Sequence, residues 1–282
     1  MRQTMTLKDG RKLSYREFGD AAGTPILHFH GLNSSSLELF FAEEKLKQQH
    51  IRLIAFDRPG FGGSDLHAQR TLFTTVEDAA ALMRHLNIDR YALQSVSAGT
   101  AYLLAMLRMM PENITSARII SGAVPVEEVG MDGMHLETKM LIGLARRFPW
   151  LMHPVFWFTY GRLVVDDRSS KQFLDAMVKT LGDPDKVLMQ NEEARSIFLK
   201  IARDSYAQGS IGNAYDALLV FGKPWGFSVT EIDFGNIEIV HGREDLAIPF
   251  ELMKKMHRKL KGSSLRGVEK EGHLSLVYHL FV

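Results

Sequence analysis

The sequence predicts an α/β protein: a mainly parallel, twisted sheet flanked by helices, with a helical insertion late in the sheet. Three observations carry this. Short apolar runs alternate with helical patterns through residue 122, strand signals vanish from 123 to 236, and they return at Ile237.

The opening stretches Thr4 to Leu7 and Lys12 to Phe18 flank Asp9-Gly10, a pair suited to the positive backbone angles of a tight hairpin turn. Pro25 to Phe29, Arg52 to Phe56, Tyr91 to Val96 and Ala117 to Ser121 are apolar enough to be strands buried on both faces. Val76 to Leu86 and Thr100 to Met110 read as crossover helices. Helical periodicity then covers Met134 to Arg147, Gln172 to Leu181 and Glu193 to Arg203, with Gly182 closing one helix and Asp183-Pro184 capping and starting the next. Strands resume at Ile237 to Val240 and Leu265 to Glu269. The expected division is a core of residues 1–122 and 237–282 and a helical cap of residues 123–236.

Composition narrows the chemistry. Of 282 residues, 45% are hydrophobic and 24% charged, the profile of a soluble globular protein. Lys plus Arg number 34 against 33 for Asp plus Glu, and this balance gives no electrostatic reason to expect a nucleic-acid or anionic-membrane partner. With no cysteine, disulfides, thiolate nucleophiles and sulfur-ligated zinc are excluded. The N-terminus, MRQTMTLKDG, lacks the order of a signal peptide. The most apolar stretch, Phe148 to Tyr160, is 13 residues long, too short to span a bilayer. A cytoplasmic protein acting on a small molecule, without membrane span, metal or cofactor, is expected.

The sharpest motif is Ser95-Val96-Ser97-Ala98-Gly99, between an apolar strand and an apolar helix. A nucleophile elbow needs small residues two positions either side of its serine, because strand and helix approach closely there. Gly99 meets the second requirement, and Ser95 stands where a glycine is usual. A serine hydroxyl also needs a histidine to take its proton and a carboxylate to fix that histidine. Ile237 to Val240 runs into His241-Gly242-Arg243-Glu244-Asp245, and Val268 to Gly272 runs into His273, so acid and base arrive in a consistent order after late strands. Two amides must hold the oxyanion of an acyl-transfer intermediate; Ala98 supplies one and Leu32, after His30-Gly31, the other.

With these residues in view, the chain resembles the α/β-hydrolase superfamily, in the capped serine hydrolase branch of proline iminopeptidase-like and haloperoxidase-like enzymes. The resemblance covers nearly the whole chain and rests on His30-Gly31, Asp57 to Ser64, the elbow at Ser97, His241-Gly242 to Asp245 with Ile248-Pro249, and Gly272-His273. It implies Ser97 as nucleophile, Asp245 as acid, His273 as base, and Leu32 and Ala98 as oxyanion donors. It also implies a longer final helix than the nine residues after His273 provide. The loop Leu32-Asn33-Ser34 departs from the glycine- and proline-rich loop of iminopeptidases, and Ser97 stands where dehalogenases and epoxide hydrolases carry aspartate. The implied activity is hydrolysis of a small hydrophobic ester, lactone or related acyl compound. Perhydrolysis, C–C cleavage, acyl transfer and slow-turnover signal reception stay open as alternatives on the same residues.

Competing readings attach to several positions. Ser97 is equally a residue type that caps helices, and Glu244 competes with Asp245. His28 and His30 share a strand face, with ordinary packing favoured over metal ligation. His241 is expected to orient the acid loop. Asn33, Phe148, Trp150, Phe156 and Trp157 are candidates for the substrate pocket, against the alternative that the aromatic residues simply pack the cap onto the core.

Overall fold

A computed structural model describes residues 1–166, 169–179 and 181–282. Its strands are β1 (Gln3–Thr6), β2 (Lys12–Gly19), β3 (Thr24–Phe29), β4 (Ile51–Phe56), β5 (Tyr91–Val96), β6 (Ile114–Ile120), β7 (Ile237–Gly242) and β8 (Ser263–Val268). They form one sheet in the order β1-β2-β4-β3-β5-β6-β7-β8. The hairpin pairs Gln3 with Tyr15 and Thr6 with Lys12, β2 runs antiparallel to β4, and every later pair is parallel. Central β5 is buried along its whole length, whereas edge strand β8 alternates between exposed and half-buried positions. That contrast follows from helices covering both faces of the middle of the sheet.

The early helices are α1 (Glu43–Gln48), α2 (Leu72–His85) and α3 (Gly99–Met109). Between β6 and β7 come α4 (Val126–Val129), α5 (Leu136–Arg147), α6 (Met152–Phe156), α7 (Arg162–Val165), α8 (Ser170–Val178), α9 (Asp183–Leu188), α10 (Glu192–Ser205) and α11 (Ile211–Ala217). Single π-helical turns follow α6 at Trp157–Gly161 and α11 at Leu218–Gly222. α12 (Phe250–Lys259) and α13 (His273–Phe281) complete the chain.

One face of the sheet packs on α2 and α3 through Phe29, Leu93, Val76, Leu103 and Met106, and Trp225, Val229 and Ile232 join the same core before β7 begins. The other face packs on α1 and α13 through Leu53, Val96, Val240, Leu46, Leu276 and Val277. The helical segment has a core of its own around Met152, Phe156, Phe173, Leu174 and Tyr206. Leu188, Ala194 and Ile201 seat it against Tyr278 of α13.

The helix expected over Gln172 to Leu181 is shorter, and Thr180 lies outside the described residues. The boundary after it also differs from expectation. Gly182 is itself the N-cap of α9, in extended conformation, and Asp183-Pro184 form its first turn. A side chain on Gly182 would run into the Glu244 carbonyl, so its smallness lets α9 approach the loop after β7.

At the start of α3 a Cβ on Gly99 would collide with the Phe29 carbonyl, which fixes how closely the helix crosses β3. Gly99→Val is expected to cost about 3 kcal/mol by overpacking, read as a lowered urea midpoint at unchanged slope.

Candidate active site

The close approach at Gly99 leaves a sharp strand-to-helix turn, and its apex is Ser97, held at φ 50, a conformation side chains other than glycine rarely adopt. Hydrogen bonds lock the apex: the Ser97 amide donates to Ile120 O at 3.1 Å, and the Ser97 carbonyl accepts from Ala123 at 2.9 Å. The hydroxyl is thereby directed away from the sheet. Ser95 lies inside β5, fully buried, with its Oγ 3.4 Å from Thr100 Oγ1.

The structure brings Ser97, His273 and Asp245 together. Ser97 Oγ is 2.9 Å from His273 Nε2, and His273 Nδ1 is 2.7 Å from Asp245 Oδ2. Asp245 Oδ1 accepts the Ile248 amide at 2.9 Å. His241 Nε2 lies 2.7 Å from the Ile248 carbonyl and 3.2 Å from Asp245 Oδ2. Both neighbours are acceptors, so Nε2 carries a proton and His241 braces the acid loop. Glu244 is exposed to solvent, and the carboxylate that meets His273 is that of Asp245.

Burial alone would raise the Asp245 carboxyl, but His273 and His241 outweigh it and hold the group well below the usual carboxylate range. Burial would likewise lower the His273 imidazole, but Asp245 outweighs it and raises that group above its ordinary value. With Asp245 ionised, Nδ1 of His273 donates to it and the lone pair on Nε2 faces the serine hydroxyl. This arrangement can take the hydroxyl proton in one step.

The loop after β3 faces the same serine. A Cβ on Gly31 would stand 3.3 Å from Ser97 Cβ, so glycine lets the loop close on it. Several of the loop's polar groups are occupied: the Gly31 amide donates to Glu38 Oε1 at 2.9 Å, and the Arg58 guanidinium donates to the His30 and Gly31 carbonyls. His28 is spent on Glu38 Oε2 at 2.7 Å, and His30 Nδ1 on the Gly31 carbonyl at 2.8 Å. Burial and the neighbouring Arg58 keep the His30 imidazole neutral. The amides of Leu32 and Ala98 have no hydrogen-bond partner among the described residues.

A cavity of about 340 Å³ lies between this end of the sheet and the helical segment. Ser97 and His273 stand in its wall with Leu32 and Asn33, and the remainder is mostly apolar: Leu141, Ile142, Met152, Val155, Phe156, Phe173, Phe198 and Phe221. No Lys or Arg lines it among the described residues.

A family described as alpha/beta hydrolase fold matches residues 24–280. The chain belongs to the α/β-hydrolase family. The dihydrolipoyllysine-residue acetyltransferase component of the acetoin cleaving system of Pseudomonas putida is 30% identical over 218 residues, which are 76% of this chain and 55% of that protein's length. A proline iminopeptidase of Xylella fastidiosa is 23% identical over 95% of this chain and 89% of its own. Among solved structures, the esterase EaEST of Exiguobacterium antarcticum superposes with a TM-score of 0.70 at 20% identity, covering 99% of this chain and 95% of that one.

Three of the five expected pocket residues of this α/β-hydrolase stand elsewhere. Phe148, Trp150 and Trp157 do not line the cavity and are 42%, 68% and 36% exposed. Phe148 and Trp150 pack edge to face on each other beyond the end of α5, and the π-helical turn at Trp157 turns that residue outward while Phe156 faces in. Asn33 lines the cavity, held at φ 58 by contacts to the helical segment. Its amide donates to Asn213 Oδ1 at 2.9 Å, and its Oδ1 accepts the Tyr206 hydroxyl at 2.6 Å.

Other polar residues around the site left no local signal in the sequence. Asp216 of α11 receives Arg58, Arg70 at 2.9 Å and the Tyr102 hydroxyl at 2.8 Å, all buried. Asp185 of α9 is fully buried and accepts the amides of His273, Leu274 and Ser275 at 3.0, 2.9 and 2.9 Å. Each partner lies far away in sequence, so only the fold reveals the contact.

Asp216→Ala is expected to destabilise the protein by about 3–5 kcal/mol, because it strands two buried guanidinium groups. Chemical denaturation checks this. A replacement with the stability of the native protein would show that solvent reaches Arg58 and Arg70.

Proposed function

We propose that this protein is a serine hydrolase acting on small, uncharged, hydrophobic esters, lactones or related acyl compounds, in the manner of a carboxylesterase. Ser97 is the nucleophile, His273 the general base, Asp245 the acid that holds it, and the Leu32 and Ala98 amides the oxyanion donors. The observation that carries this reading is the unbroken line from Ser97 Oγ to His273 at 2.9 Å and on to Asp245 at 2.7 Å, beside an apolar cavity. The helical segment over 123–236 serves as a cap whose inner face supplies most of the acyl pocket.

In the reaction His273 takes the Ser97 proton as Oγ adds to the acyl carbon, and the negative charge on the former carbonyl oxygen falls between the two free amides. Collapse expels the alcohol oxygen, which receives the proton from His273, and leaves the acyl group on Ser97. Water, deprotonated by His273, adds to that ester; the second collapse returns the proton to Ser97 and frees the acid. Asp245 stays ionised and stabilises the imidazolium formed in each half. Glu38 and Glu137 line the cavity and no Lys or Arg does among the described residues, which disfavours anionic acyl chains, and the apolar wall rewards longer neutral ones by about 0.8 kcal/mol per buried methylene.

Two measurements test this. A fluorophosphonate probe is expected to modify Ser97 stoichiometrically in the folded protein, as mapped by peptide mass spectrometry; labelling elsewhere, or none, overturns the assignment. With p-nitrophenyl esters, Ser97→Ala and His273→Ala are expected to lower kcat by roughly 10⁴ or more, and Asp245→Asn by about 10⁴, without unfolding. Because Asp245 raises the His273 imidazole and the base must be neutral, kcat/KM is expected to fall as pH drops through a midpoint above the ordinary histidine value. An acid limb at or below the ordinary value would count against His273 as base.

A further inference from the structure

We propose that Asp185, a carboxylate delivered by the helical segment, is a positioning residue for His273: it fixes the backbone at the base and offsets the positive end of α13 so that the imidazolium can form there. The inference rests on the hydrolase reading of the site, and nothing in that mechanism uses Asp185.

His273 is the first residue of α13, a helix of nine residues. Its first amides point out of the helix end without intrahelical partners, and together they carry the equivalent of roughly half a positive charge. A base that becomes a cation during turnover is badly placed there. Every acyl-transfer half-reaction on Ser97 passes through protonated His273, so this field opposes both.

Asp185 answers the problem directly. Its Oδ2 accepts the His273 amide at 3.0 Å, and its Oδ1 accepts the amides of Leu274 and Ser275, each at 2.9 Å. The Asp185 side chain is fully buried. A Cβ on Gly272 would collide with this carboxylate, so the residue before the base leaves room for it. Burial is costly for Asp185, and it raises the carboxyl above its ordinary value against the pull of the Ser275 and His273 amides. If satisfying helix-end amides were all that mattered, a neutral side chain would serve at lower desolvation cost, as Thr71 does at α2 and Asn191 at α10. A full charge in this place is explained by the cation that forms on His273, the residue whose amide it accepts.

From the elements packed against it, His273 is faced by Asp245 and, behind it, His241 at the end of β7, by Glu38 in the loop after β3, and by Asp185 from α9. Asp245 contacts the imidazole, whereas Glu38 is committed to His28 and the Gly31 amide. Asp185 is the charge attached to the helix end itself.

The test is the pH dependence of Asp185→Asn, which keeps an acceptor oxygen and removes the charge. The wild type, this variant and Asp185→Ser are compared in p-nitrophenyl butyrate hydrolysis. The His273 imidazole is titrated in parallel by NMR with labelled histidine, assigned through His273→Gln. The expected result is an acid limb and an NMR midpoint both displaced to lower pH, with kcat down about tenfold and KM within twofold, the size expected for a helix-terminus charge interaction in a buried setting. An unmoved or raised midpoint in a folded variant, with only thermal stability lowered, makes Asp185 a structural cap and overturns the proposal. Should Asp185→Asn fail to fold, Asp185→Ser decides by the same criterion. The NMR titration needs no turnover. A missing shift therefore condemns the Asp185 proposal, whereas an unlabelled Ser97 in the wild type condemns the hydrolase reading.

Discussion

A carboxylate taken out of water is tolerable only when its oxygens are filled with donors, and the loops around Ser97 are held by groups of this kind. Asp245, Asp185, Asp216, Glu38 and Asp57 are all buried. Asp245 is met by His273, His241 and the Ile248 amide, Asp185 by three successive amides, and Asp216 by Arg58, Arg70 and Tyr102. Glu38 is met by His28 and the Gly31 amide, and Asp57 by Ser14, the Ser36 amide and the Gly63 amide. Asp57 and Asp216 hold the stretch after β4, Glu38 the loop after β3, Asp245 the loop after β7 and Asp185 the first turn of α13. An apolar core has no comparable means of fixing a loop to within tenths of an ångström, because dispersion contacts are not directional.

The same logic assigns the helical segment more than a roof. Through Asp185 it grips the backbone at His273, through Asp216 it holds the arginine that fixes the His30 and Gly31 carbonyls, and through Asn213 and Tyr206 it holds Asn33. Swinging the whole segment away would expose Asp185 and Asp216, leave the first amides of α13 without their acceptor and strip Arg58 and Arg70 of their carboxylate. α5, α6 and the π-helical turn after α6 supply cavity wall and none of these carboxylates. The outward Trp150 and Phe158, 68% and 61% exposed, sit on this side.

How much of this was legible in the sequence follows from the range of the interactions. The strands and the helices α2, α3, α5, α8 and α10 were legible because burial on both faces or on one face writes a local pattern, and the order of Ser97, Asp245 and His273 was legible because each sits in a short motif at the end of a strand. Asp185, Asn213 and Asp216 were not, since their partners lie 88, 180 and 158 residues away and an isolated Asp or Asn in a helix signals nothing. Phe148, Trp150 and Trp157 were misplaced for the opposite reason. An aromatic cluster is a strong composition signal, but which members face inward is set by helix phase, and the π-helical turn at Trp157–Gly161 breaks the regular period.

The elbow itself shows how a motif relaxes. Its two flanking small residues do different jobs. At Gly99 the obstacle to a side chain is the Phe29 carbonyl, backbone that cannot move without shifting β3. Ser95, where glycine is usual, looks instead toward the Thr100 side chain, whose hydroxyl lies 3.4 Å from its own. A serine fits there because its neighbour is a rotatable polar group and not main chain, and the hydroxyl it buries has a partner. The strict requirement of the turn falls on the glycine after the serine. The position before it needs only a residue small enough to share a buried polar contact, and a larger apolar side chain at 95 would have to displace Thr100 from the first turn of α3.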